Sequence, residues 1–151
     1  MAYIDENLMS GEQVVYRARL HWSVFLGPVI VALFALLMFT GQREAASAGG
    51  LFLTIAILWG TAAFISRHTS EFAVTNKRVL IKTGVIRRNS LETLLTKVEG
   101  IQVQQGILGR MLDYGTIIVK GTGGTSSPFR KIEAPLEFRR KVQEQVATAQ
   151  K

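Results

Sequence analysis

The chain has 151 residues, no cysteine, two histidines and a formal net charge of +7. That length suits one domain, and the lack of cysteine excludes a disulfide framework and any cysteine-based metal site. A 48% hydrophobic content would fit an ordinary soluble core if it were evenly spread, and it is not.

In chain order, Glu12 to Leu20, "EQVVYRARL", alternates apolar and polar residues. It reads either as a strand of a folded domain or as a segment lying on a membrane. Residues 22–40, "WSVFLGPVIVALFALLMFT", and 45–66, "AASAGGLFLTIAILWGTAAFIS", then run without a charge. At about 1.5 Å per residue each matches a bilayer core of roughly 30 Å. A buried hairpin in a soluble core would need more protein around it than this chain has. A signal peptide cut after Ala46 to Ala48 would have an h-region of roughly 7–15 residues, shorter than the first run. The predicted elements are therefore two transmembrane helices.

Only Gly41 to Glu44, "GQRE", separates them, so the helices form an antiparallel hairpin. Arg17 and Arg19 precede it, and Arg67, Lys77, Arg78 and Lys82 follow it. The positive-inside rule then places both termini in the cytoplasm and the chain in a bacterial inner membrane as a multi-pass protein. Trp22, Trp59 and Phe64 sit where interfacial aromatic anchors belong. Gly49, Gly50, Gly60 and the alanines around them permit close helix approach, within the hairpin or between copies. Residues 1–66 hold 3 Lys+Arg against 4 Asp+Glu and residues 67–151 hold 15 against 7, so the net charges are −1 and +8. The basic part is the one expected beside an anionic leaflet.

After Arg67 the pattern shifts to period two. Ser70 to Val74 and Arg78 to Gly84 are strands flanking the turn Thr75-Asn76-Lys77, and Gly84 permits a turn into Val85 to Leu95. Lys97 to Gly106 puts Ile101 and Val103 on one face, with Gly100 at a possible bulge. Tyr114 to Gly121 and Ser126 to Ile132 complete the strands. Pro135 opens an amphipathic helix carrying Phe138, Val142, Val146 and Ala149 on one stripe, with Glu137 and Lys141 spaced as an ion pair. The predicted organisation is an N-terminal cytoplasmic segment (1–21), a transmembrane hairpin (22–66) and a cytoplasmic domain (67–151). In that domain a curled antiparallel sheet is closed by a helix.

The stretches "FAVTNKRVLIKTGVIRR", "VEGIQVQQGILGRMLDYGTIIVKGTGG" and "PFRKIEAPLEF", led by "GEQVVYRARLHW", resemble the bacterial pleckstrin-homology-like (PH-like) family. Its small members carry two spans ahead of the domain. The matching positions include Thr75, Asn76, Arg78, Gly84, Gln105, Leu108, Gly109, Arg110, Gly115 and Pro135. The resemblance implies an α+β membrane protein: a two-helix transmembrane hairpin followed by a PH-like small antiparallel β-barrel or sandwich capped by a C-terminal amphipathic helix. It implies little about activity.

Catalytic signals are absent. Gly121 to Ser127, "GTGGTSS", lacks both the lysine and the following helix of a phosphate loop, and reads as a hairpin turn. His21 and His68 fall at the span boundaries, where a half-buried interfacial role is expected. The carboxylates Glu71, Glu92, Glu99, Asp113 and Glu133 are scattered one per element. No catalytic, cofactor-binding or metal site is assigned, and no enzyme is expected. The basic domain lacks a nucleic-acid recognition motif and aromatic stacking platforms, so nucleic acid is not an expected partner.

Two contact surfaces remain. In the loop Gly106 to Leu112, "GILGRML", Ile107, Leu108 and Met111 surround Arg110 and form a candidate contact for a protein partner or a second copy. The alternative is that Leu108 and Leu112 plug the barrel end while Arg110 pairs with a carboxylate. The second surface, Arg67, Arg87, Arg88, Arg130 and Lys131, is a candidate contact for anionic lipid headgroups. The expected function is a non-enzymatic, membrane-anchored module for protein interaction or assembly, with headgroup sensing as the alternative.

Overall fold

The computed structural model describes residues 3–41, 43–84, 89–122 and 126–149. The chain divides into two compact units: residues 1–21 with 69–151, and residues 22–68.

Among the described residues the first unit contains seven strands and three α-helices: α1 (Tyr3–Glu6), β1 (Val14–Ala18), β2 (Glu71–Thr75), β3 (Arg78–Thr83), β4 (Asn89–Leu94), β5 (Val98–Gln104), α4 (Ile107–Met111), β6 (Tyr114–Gly121), β7 (Ser126–Glu133) and α5 (Pro135–Ala149). The second unit holds α2 (Leu26–Phe39), entered through a 3-10 turn at Trp22–Phe25, and α3 (Arg43–Thr69).

Strands β1 to β4 form one antiparallel sheet in sequence order, and β5 to β7 form another. A bridge between Leu20 and Ile132 joins them at one side. Of the two readings of residues 12–20, the structure shows the strand: Arg17 pairs with Ala73 and Ala18 with Phe72. The two apolar helices are thus inserted between two neighbouring strands of one sheet.

Between the sheets lies a core of Phe72, Val74, Val79, Ile81, Leu95, Ile117, Val119, Phe129 and Ile132, closed from α5 by Phe138 and Val142. Strands β1 and β6 alternate as expected, because only one face of each is covered. The expected alternation fails in β2 and β3, where four consecutive residues are buried. The physical reason is the N-terminal segment, whose Ile4 and Leu8 pack with Ala73 and Leu80.

That segment is pinned by charge as well as by packing. The Arg78 guanidinium donates from Nε to Glu12 Oε1 at 2.9 Å and from a terminal nitrogen to Glu12 Oε2 at 3.0 Å. It also reaches Glu92 at 2.6 Å and the Asn7 carbonyl at 2.6 Å. The Thr75 hydroxyl donates to Glu12 at 2.7 Å, and so does the Met9 amide. Only 6% of the Arg78 side chain and none of the Glu12 side chain is exposed. An exposed pair between Arg17 and Asp5 adds a second tie.

Besides a shift between Val14 and Tyr16 on β1, two irregularities shift the strand registers. One lies at Val98 to Gly100, where the sequence pattern suggests a bulge. The other lies on β7: Gly115 pairs with Ile132 but Ile117 with Phe129, and Lys131 has a positive φ of 58°. One residue of β6 therefore faces two of β7, which lets Phe129 and Ile132 both point inward while Arg130 and Lys131 both stay exposed.

In α5 the expected pair from Glu137 to Lys141 is replaced. Glu137 pairs with Arg140 at 3.5 Å and Lys141 with Glu144 at 3.1 Å, while the Tyr16 hydroxyl also donates to Glu137.

In the helical unit, Ala35, Ala56 and Ala63 are buried. A Cβ on Gly27 would lie 2.8 Å from the Trp59 ring, and one on Gly49 would lie 3.1 Å from the Ala35 carbonyl. The small residues at these positions thus serve contact between α2 and α3 themselves. Much of their remaining surface is apolar, with Ile30, Leu33, Leu37, Leu51 and Leu58 more than half exposed. Both helices are long and apolar enough to cross a membrane.

Candidate functional site

The connection from β5 to β6, read from sequence as a loop, is the single-turn helix α4. Its backbone closes through Arg110 N–H to the Gly106 carbonyl and Leu112 N–H to the Leu108 carbonyl, both at 3.0 Å. Gln105 braces it from below, its side-chain amide donating to the Gly109 carbonyl at 3.3 Å and to the Tyr114 carbonyl at 3.2 Å. Asp113 ends the turn with φ 53°, and its carbonyl accepts the Ala134 N–H at 3.0 Å just before α5.

Gly109 is what lets α4 lie flat on β6. A Cβ there would stand 2.5 Å from the Tyr114 carbonyl oxygen, a backbone atom held in the sheet. Gly109→Ala is accordingly expected to lower the thermal unfolding midpoint measurably, whereas Gly106→Ala, whose Cβ would meet nothing within 4 Å, should leave it almost unchanged. Equal effects of the two substitutions would remove the close-approach explanation.

With its backbone packed down, α4 turns its apolar side chains outward. Ile107 is 83% exposed, Met111 76% and Leu108 61%. Leu108 therefore does not plug the end of the β unit. Among the described residues no carboxylate lies within ion-pairing distance of Arg110, so the alternative reading of that arginine fails as well. Beside α4 lies an open depression of about 430 Å3 lined by Val103, Gln105, Arg110, Asp113, Leu136 and Arg139. It brings Arg110 together with Val103, Gln105, Asp113 and Arg139, and with Leu136, which the sequence reading did not single out. Leu136 carried a usable signal: it is a leucine off the Phe138, Val142, Val146 stripe of α5, and it is half exposed.

Of the expected basic surface, the described positions are Arg67, Arg130 and Lys131. Arg130 and Lys131 are neighbours on the β7 bulge. Arg67 belongs to the helical unit, where its guanidinium lies 6.0 Å from the centre of the Phe25 ring. Arg87 and Arg88 lie outside the described residues.

His21 is buried in the β unit, not half-buried at an interface. Its ring stacks on Tyr114 with centroids 5.0 Å apart, and its backbone N–H donates to the Lys131 carbonyl at 2.7 Å. His68 instead meets Phe64 in the helical unit at 4.5 Å. Among the described residues no group of three or more histidines and carboxylates comes together.

A family model described as Bacterial PH domain matches residues 23–146, well over half of the chain. The chain belongs to that family. The match begins just inside the helical unit and ends in α5, so in this bacterial PH domain protein the family pattern takes in both apolar helices along with β2 to β7. No curated protein and no solved structure matches the chain.

Proposed function

We propose that this bacterial PH domain protein is a non-enzymatic module anchored in the inner membrane. Residues 22–66 form the anchor, both termini face the cytoplasm, and the β unit acts there by contact with a protein partner or a second copy. The observation that carries the contact reading is the open depression between α4 and the start of α5. Its arginines Arg110 and Arg139 flank apolar Val103 and half-exposed Leu136. Such a surface suits an apolar segment carrying a carboxylate, since an arginine fork favours that geometry. The anchoring reading is supported by two helices long and apolar enough to cross a membrane, with large apolar side chains exposed along both.

Mild-detergent purification of the full-length protein followed by native mass spectrometry tests this reading. The expected result is a stoichiometric partner or a defined homo-oligomer. That species should be lost in the double variant Leu136→Ser and Arg139→Glu, at two exposed positions, with the unfolding midpoint unchanged. A lone chain before and after substitution would overturn it.

A second reading, contact with anionic headgroups, is favoured by the bulge that exposes Arg130 and Lys131 side by side. In the same spectra it requires retention of anionic over neutral lipid. Equal retention of both removes it.

A further inference from the structure

Ile107, Leu108 and Met111 are neighbouring, apolar and turned outward, yet none of them lines the depression beside them. A cluster of exposed apolar side chains marks a contact with something apolar. What it meets is indicated by where the chain leaves the β unit. His21 is the last residue of the β unit before the chain passes to the helical unit, which opens with the 3-10 turn at Trp22.

His21 is fixed at one end of β6 and β7 by its stacking on Tyr114 and its bond to the Lys131 carbonyl, while Leu20 bridges to Ile132. Tyr114 opens β6 immediately after α4. The returning chain enters β2 at Glu71, and the next residue, Phe72, pairs with Ala18 of β1. Both connections to the apolar helices and the α4 tip therefore share one end of the β unit. The other end of β6, at Lys120 paired with Ser126, is about 20 Å away at roughly 3.3 Å per residue.

We propose that the α4 tip, Ile107, Leu108 and Met111, inserts into the headgroup–acyl boundary of the bilayer that carries the apolar helices. The inference rests on the anchoring reading given above. Arg110, between Leu108 and Met111 in sequence, lines the neighbouring depression, so the inserted surface is the apolar tip alone. Asp113 and Glu133 offset part of the positive charge of Arg110, Arg130 and Lys131 at this end, and burial of the apolar tip is the part of the contact that added salt weakens little. Three side chains suffice because the two direct connections hold the tip at high effective concentration beside the membrane.

The absence of cysteine from the chain makes the test direct. Full-length single-cysteine variants Met111→Cys, Leu33→Cys and Thr148→Cys are labelled with a polarity-sensitive fluorophore and reconstituted in phosphatidylethanolamine–phosphatidylglycerol liposomes. The liposomes carry nitroxide lipids at shallow or deep positions. Thr148 is near the far end of α5, about 20 Å along the helix from Pro135. The expected result is several-fold stronger shallow-nitroxide quenching at Met111 than at Thr148, retained at high salt, with Leu33 quenched by the deep probe.

If Leu33 is not quenched, the anchoring reading fails and this inference with it. If Leu33 is quenched but Met111 is as open to aqueous iodide as Thr148, the tip inference alone is overturned. A Met111 label shielded from both iodide and nitroxide lipid means that protein covers the tip, which overturns it too.

Discussion

Replacing Arg78 with alanine is expected to lower the stability of the β unit by about 3–5 kcal/mol, the usual cost of leaving one charge of a buried pair without its partner. Glu12, fully buried, would keep only the Thr75 hydroxyl and the Met9 amide. Glu92 contributes less, since its side chain is 40% exposed and solvated when the pair opens. Arg78→Lys should recover only part of the loss, because an ammonium cannot reproduce the two-pronged contact with both Glu12 oxygens and still reach the Asn7 carbonyl. Chemical unfolding of the full-length protein in detergent, followed by β-sheet circular dichroism, measures both variants against the wild type. A loss below about 1 kcal/mol for Arg78→Ala would place the pair in the class of exposed ion pairs and overturn the argument.

The same network sets an acid limit on stability. Burial alone pushes the Glu12 carboxyl up, but the hydrogen bonds from Arg78, the Met9 amide and Thr75 outweigh it and hold the pKa below its ordinary value. A group whose folded pKa is lowered stabilises the fold above its unfolded pKa, near 4.3 for glutamate. That stability disappears as pH falls through the lower folded value. Wild-type stability should thus decline as pH drops below about 4, and Glu12→Gln should start less stable and show a flatter acid limb. Parallel curves for the two proteins would show that Glu12 does not govern this limb.

How much of this was legible in the sequence depends on the distance over which each feature is specified. The charge-free runs, the Asn76 turn and the stripe of α5 are local patterns, and each identifies its element without help from the rest of the chain. The cover on β2 and β3 is not local. Ile4 bonds through its N–H to Glu71, 67 residues away, and nothing near Glu71 announces that a second layer lies on Ala73 and Leu80. The Glu12–Arg78 pair was equally hidden, because an isolated glutamate in an alternating segment reads as solvent-facing.

Two site features were half legible. A strict period of two along β7 would bury one of Arg130 and Lys131, and the three-residue spacing of inward-facing Phe129 and Ile132 was the mark of the bulge. The α4 tip was recognised by composition but not by shape. Its helical turn depends on Gly109 lying against the Tyr114 carbonyl and on the Gln105 brace, contacts that no periodicity encodes. The insertion of two helices between β1 and β2 was also out of reach, since hairpin signals are sought across a few residues and here the paired strands are separated by the whole helical unit.

Phe138→Ala is the second large expected effect, at about 3–5 kcal/mol for a fully buried phenylalanine. The ring, with no exposed surface, closes the core between the two sheets from α5 and stands edge-on to Tyr16 at 6.3 Å between centroids. Its loss removes the main apolar tie between α5 and the strands, leaving Val142 and the partly buried Val146 to hold the helix. Because Ala134, one turn before, accepts the Phe138 N–H and is itself bonded to the carbonyl of Asp113 at the foot of α4, slackening α5 reaches the α4 tip. Phe138→Ala should therefore lower the unfolding midpoint by about 4–8 °C for each kcal/mol lost in a domain of this size. It should also increase hydrogen exchange at Gly109 and Arg110, while Phe138→Leu, which keeps most of the volume, does much less of both. A destabilised variant with unchanged exchange at α4 would show that the tip is held by β5 and β6 alone, through Gln105, and not through α5.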